Sequence, residues 1–168
     1  MKAAAAALLV GAFLCIGSLL RDGLRRRAQV MGQICLFLRQ VRLRANLHQP
    51  LGAAVAELAQ DPELALLTFL PDCAARCRAG VPLPQAWTLA VETFRHTGKI
   101  SPPQGQTLAN LLPALCAADG QRLDSLLNLY ESRAQTALAQ AEETAASTGG
   151  LCVRVSGAVG LLLGILIL

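Results

Sequence analysis

Two kinds of hydrophobic pattern share this chain. At both ends apolar residues run on without interruption, while between them they recur every three or four positions, as on one face of an α-helix. After Met1-Lys2, residues Ala3 to Leu20 carry no charge. Val155 to Leu168 carry none either, and no strongly polar side chain. As a helix that last run would cover about 21 Å, short of the ~30 Å hydrocarbon slab of a bilayer. A start at Gly149 supplies the length, with Arg154 snorkelling to the near headgroups. The terminal position and the matching run at the other end predict a membrane anchor, where length alone would also allow a buried core helix. The first run is long for a signal-peptide core, and no small-x-small site follows it before the arginines. It therefore predicts an uncleaved helix; a cleaved leader on an exported protein is the alternative. The resulting division is an N-terminal anchor at 1–21, a helical domain at 22–148 and a C-terminal anchor at 149–168.

Between the anchors the pattern is helical. Leu24, Ala28, Met31, Ile34, Cys35, Leu38, Val41 and Ala45 form one stripe. Gln49-Pro50-Leu51 ends that helix and starts another, since proline suits a first turn; Leu51, Val55, Leu58 and Ala59 line the second. Asp61-Pro62-Glu63 is a helix start, with an N-cap, a first-turn proline and an early acid. Pro71 is expected to kink or divide the next helix, and Gly80 to stop it. Val81 to Pro84 connects to a helix over Gln85–Arg95, with Ala86, Leu89, Ala90 and Phe94 inward and Trp87 as its largest core anchor. Thr97 to Gln106, with its glycines, serine and two prolines, reads as a loop. Leu108 to Ala118 is helical around Pro113, and Asp119-Gly120 is a turn able to cap a long last helix. That helix is carried by Leu123, Leu126, Leu127, Tyr130, Ala134, Ala137, Leu138 and Ala141. Ser147 to Gly150 is then either a hinge or a gentle bend. The predicted fold is all-α: a multi-helix bundle between an N-terminal and a C-terminal transmembrane helix.

Composition agrees. Aromatic residues make up only 4% of the 168 residues, and a chain dominated by alanine and leucine favours helices over strands. The net charge of +4 is unevenly spread: seven of the fifteen cations (Arg21, Arg25, Arg26, Arg27, Arg39, Arg42 and Arg44) fall in one early segment. With Arg21, Arg25, Arg26 and Arg27 after the first anchor and Arg154 before the second, the positive-inside rule places the middle domain in the cytoplasm. Arg27 and Arg42 interrupt the edge of the helical stripe. Either their stems snorkel, or they meet an acidic partner in this bundle or on another protein; Arg27, Arg39 and Arg42 are the candidate partner contacts. Small residues recur every fourth position in both anchors, at Ala3, Ala7, Gly11 and at Ser156, Gly160, Gly164. Such rows can form a groove for close helix packing, and they also arise simply because small residues are common in membrane helices.

No P-loop, dinucleotide fingerprint, HExxH or nucleophile elbow is present. Glu142 and Glu143 are adjacent and would point to different sides of a helix. Neither His48 nor His96 has an obvious nucleophile. The basic segment lacks interleaved aromatics, which argues against nucleic acid. Of the six cysteines, Cys73 and Cys77 would share a helix face, but two further ligands for a metal are not apparent; small apolar filler is the expected role. The reading is of a protein that is not an enzyme and needs no cofactor.

Four short matches, taken in order, resemble the stage III sporulation protein AB family. Gln49-Pro50-Leu51 is similar to its Thr-Pro-Leu turn, and Gln85-Ala86-Trp87 to its Ala-Trp helix. Leu115-Cys116-Ala117-Ala118-Asp119 is similar to its Leu-Gly-x-x-Asp turn. Arg154 to Leu168, with Gly157, is similar to its basic residue and glycine-rich apolar end. Cys116 departs from the family glycine, and Leu43 to Asn46 from its acidic-aromatic segment. The resemblance implies a component of the channel complex joining mother cell and forespore, lying in the mother-cell membrane that faces the forespore. It implies a domain like the helical platform domains of type II secretion and type IV pilus systems, and as partners a cytoplasmic secretion-type ATPase and other membrane subunits in the same bilayer. The alternative from the residues themselves is a generic membrane-tethered adaptor that recruits a soluble partner through its basic helix.

Overall fold

A computed structural model of the protein describes the backbone of residues 2–118 and 120–167, and the side chains at 15, 18–19, 21–118, 122–148, 155 and 158. Among the described residues it is all-helical, without strands. Six α-helices follow one another: α1 (Lys2–Asn46), α2 (Leu51–Leu58), α3 (Phe69–Arg78), α4 (Leu83–Arg95), α5 (Pro102–Cys116) and α6 (Gly120–Ile167), with a 3₁₀ turn at Pro62–Leu64. Residues 29–138 form one compact unit, and residues 1–28 with 139–168 form another. Among the described residues no helix is long and apolar enough to cross a membrane. Most of the two apolar ends, 1–14 and 159–168, lies outside the residues whose side chains are described.

Within residues 29–138 the core is built on Trp87, which has no exposed surface. Its ring stacks on Phe37 of α1 at 5.6 Å and meets Phe69 of α3 edge-on at 5.1 Å. Phe69 in turn touches Phe94 of α4 at 5.2 Å. The indole N–H donates to the Leu108 carbonyl of α5 at 2.8 Å, so the polar atom of this large side chain is satisfied inside the core. Pro113, one turn on, has no N–H to give Ala109, the carbonyl next to the one Trp87 uses. A further cross-link joins α1 to the segment before α3: Gln33 Oε1 accepts from the Leu66 N–H at 2.9 Å. No buried side-chain nitrogen or oxygen among the described residues lacks a partner.

The helix ends obey local rules. α1 stops in a Schellman-type turn, with the Gln49 N–H on the Arg44 carbonyl (3.1 Å) and the His48 N–H on that of Ala45 (3.0 Å). His48 occupies the left-handed position at φ 57°, where glycine would be unstrained. α3 ends the same way on Gly80 at φ 91°, as expected. Three expectations are corrected. Leu64 to Leu70 is not a helix carried on to a kink: a 3₁₀ turn capped by Asp61 is followed by a turn, and Pro71 sits in the first turn of α3, where a missing N–H costs nothing. The stretch 97–106 is not all loop. Pro102 and Pro103 are the first residues of α5, and Ser101 with Gln104 forms a capping box. Leu89 is 48% exposed, and Val91 is buried beside Ala86, Trp87, Ala90 and Phe94 instead. At Gly105 a Cβ would lie 2.8 Å from the Arg95 stem, which would have to move aside. Past Ser147 to Gly150, α6 continues without a break.

Candidate functional site

The C-terminal end of α1 is held by carboxylates from two directions. Glu131 of α6 accepts from Arg39 Nε at 3.2 Å and from Arg42 Nη1 at 3.4 Å, one oxygen to each. Its side chain is 18% exposed, against 63% for Arg39 and 39% for Arg42. One carboxylate thus faces two guanidinium groups. From the other direction, Glu57 of α2 accepts from Gln49 Nε2 at 2.9 Å and from Arg44 Nε at 3.3 Å. The Gln49 hydrogen bond, then that of Arg44, holds the Glu57 carboxyl below the usual carboxylate range. Arg44 also reaches Gln40 Oε1 at 2.6 Å. These bonds lock the corner at which Pro50 caps α2 and Leu51 begins it, half-buried.

Several grooves open on this unit, among them two lined mainly by apolar side chains. One, of about 180 Å³, lies between α1, α5 and α6 and is lined by Met31, Ile34, Leu108 and Ala134, with Tyr130 and Arg133 among its polar groups. The other, of about 530 Å³, lies between α2, α3 and the start of α4 and is lined by Val55, Ala56, Pro71, Ala74 and Leu83, with Cys77 and Arg78. Cys73 is wholly buried beside it; burial, then the neighbouring Cys77, pushes its thiol up to about 12, so it stays protonated and inert at neutral pH. Cys116 is exposed rather than apolar filler, and partial desolvation raises its thiol as well. Among the described residues no group of three or more His, Cys, Asp or Glu is placed to hold a metal ion. What the surface offers is recognition chemistry: guanidinium donors, carboxylates and apolar side chains.

The residues singled out from the sequence fall into three sets. Ala86, Trp87 and Leu115 are buried in the core, and Pro50 and Leu51 form the α1–α2 corner. Arg21, Arg25, Arg26 and Arg27 are exposed on α1; Arg39 and Arg42 share Glu131, an acid of this same chain. The side chains of Ala3, Ala7, Gly11, Asp119, Arg154, Ser156, Gly157, Gly160 and Gly164 lie outside the described residues. Glu131 and Glu57 were not foreseen. Glu131 lies just off the α6 stripe, one residue from Tyr130, and nothing in the sequence assigns it to the α1 arginines. Leu43 and Leu47 also lie off the core stripe of α1 and one turn apart, a spacing visible in the sequence.

The family model for stage III sporulation protein AB matches residues 2–168. No curated protein and no solved structure matches.

Proposed function

From the chain's membership of the stage III sporulation protein AB family, we propose that it is a non-enzymatic, membrane-anchored platform component of a sporulation channel complex. The complex joins mother cell and forespore; the chain lies in the mother-cell membrane, and its helical domain, 22–148, faces the cytoplasm. Its partners are a secretion-type ATPase and other membrane subunits of the same complex. The observation that carries the reading is the family match along the whole chain, over a helical unit set between two uncharged ends. The exposed Arg21, Arg25, Arg26 and Arg27 beside the first end support the orientation. A bundle whose conspicuous groups are ion pairs and apolar grooves suits positioning and transmission; the ATP chemistry belongs to the partner.

The test is co-purification. Full-length chain extracted in mild detergent from sporulating cells is expected to bring down the secretion-type ATPase. Recovery of the chain with its membrane neighbours but repeatedly without the ATPase would overturn the platform reading and favour a generic tethered adaptor.

A further inference from the structure

The outward ridge at the end of α1 and the turn after it reads Arg39, Leu43, Leu47, one residue per turn and about 12 Å long. Leu43 is 61% and Leu47 73% exposed. A lone exposed leucine calls for no explanation, but these two are neighbours on one ridge. Ion pairs flank them on both sides: Arg39 and Arg42 with Glu131, and Arg44 with Glu57. An apolar centre with a polar rim is the anatomy of a protein interface. The rim is also unbalanced. Both oxygens of Glu131 are taken, one by each arginine, so one of the two positive charges has no carboxylate of its own.

We propose that this ridge is the docking face for an acidic amphipathic helix of another protein, whose apolar residues cover Leu43 and Leu47 while a carboxylate beside them completes the Arg39–Arg42–Glu131 cluster. The face fits neither of the other occupants. A second copy of the chain would bring a patch of the same net positive charge, three arginines against two carboxylates, up to this one. An anionic lipid surface would meet Glu131 and Glu57 on either side of the leucines. The proposal rests on the platform reading only in expecting a protein partner; it fixes the surface and the chemistry of that partner.

The experiment places a photo-cross-linking amino acid at position 43, or at 47, in the full-length chain in its native membrane, with the exposed Ala53 of α2 as control site. Adducts are identified by mass spectrometry down to the joined peptide. The expected result is a heteromeric adduct from 43 and 47, absent from 53, whose partner peptide is an amphipathic helix with carboxylates beside its apolar face. Arg39→Gln should lower its yield at least fivefold without changing the melting temperature of the chain. Adducts only with a second copy, only with lipid, with a basic peptide, or none at all would each overturn the proposal, as would a yield insensitive to Arg39→Gln. The two readings fail separately. An acidic-helix adduct from a protein that belongs to neither the ATPase nor the membrane subunits of the complex keeps the ridge and counts against the platform assignment, whereas ATPase recovery undiminished by Leu43→Ser with Leu47→Ser does the reverse.

Discussion

Replacing Trp87 tests whether one side chain ties four helices together. Trp87→Phe keeps a ring against Phe37 and Phe69 but removes the N–H that reaches the Leu108 carbonyl at 2.8 Å. The lost hydrogen bond is worth about 1 kcal/mol, and the space left by the smaller ring adds roughly another 1 kcal/mol. Trp87→Ala removes the ring as well and should cost about 3–5 kcal/mol, a large part of the roughly 5–15 kcal/mol that holds a domain folded. At ~4–8 °C per kcal/mol for a unit of this size, the phenylalanine variant should melt about 8–16 °C lower, and the alanine variant should be largely unfolded at 37 °C. Far-UV circular dichroism of the full chain in detergent measures this. Trp87 is the single tryptophan, so wild-type fluorescence reports the same core directly and should be blue-shifted and poorly quenched by acrylamide. A double-mutant cycle with Phe37→Leu should return a coupling of ~0.5–1.5 kcal/mol. Free acrylamide quenching, or a Trp87→Phe melt within about 2 °C of wild type, would refute the reasoning.

Three further outcomes are expected. His48→Gly should stabilise the chain by about 0.5–1 kcal/mol in urea titrations, because glycine accepts the left-handed turn without a Cβ clash; a loss of stability would show that the His48 side chain contributes more than its strain costs. Cys73 keeps its proton in the folded state up to about 12, against an ordinary thiol value near 9. The unfolded state therefore sheds that proton first, and stability should fall as pH rises above about 9, less steeply in Cys73→Ala; equal slopes in parallel urea titrations would contradict this. Reversing Arg25, Arg26 and Arg27 to Glu should weaken or invert the orientation in the membrane. The exposed Cys116, kept as the single cysteine, should then become labelled in intact cells by an impermeant maleimide, and unchanged protection would show that these arginines do not set it.

Much of the helical order could be read from the sequence because the chain punctuates itself. Gly80, Asp61-Pro62 and the Pro50 corner each mark a boundary that backbone chemistry requires, and the stripe through Met31, Ile34, Leu38 and Val41 gave the buried face of α1. Reading failed where one residue type serves two purposes. Pro102-Pro103 looks like a loop until the Ser101–Gln104 capping box is weighed with it, and Pro71 looks like a break until the helix is known to begin at Phe69. His48 could not be foreseen in a left-handed turn, since nothing in its side chain announces that conformation. At the candidate site the cations were evident and their acid was not. Glu131 lies 92 residues from Arg39, and periodicity within one helix carries no information about which face of a distant helix it meets.

The platform reading depends on the chain's being held in a bilayer by its two uncharged ends. Washing membranes that contain the full-length protein with alkaline carbonate tests this most directly. The chain should stay in the pelleted membranes, and removing either 1–20 or 155–168 alone should leave it there. Release of the intact chain into the supernatant would contradict membrane anchorage.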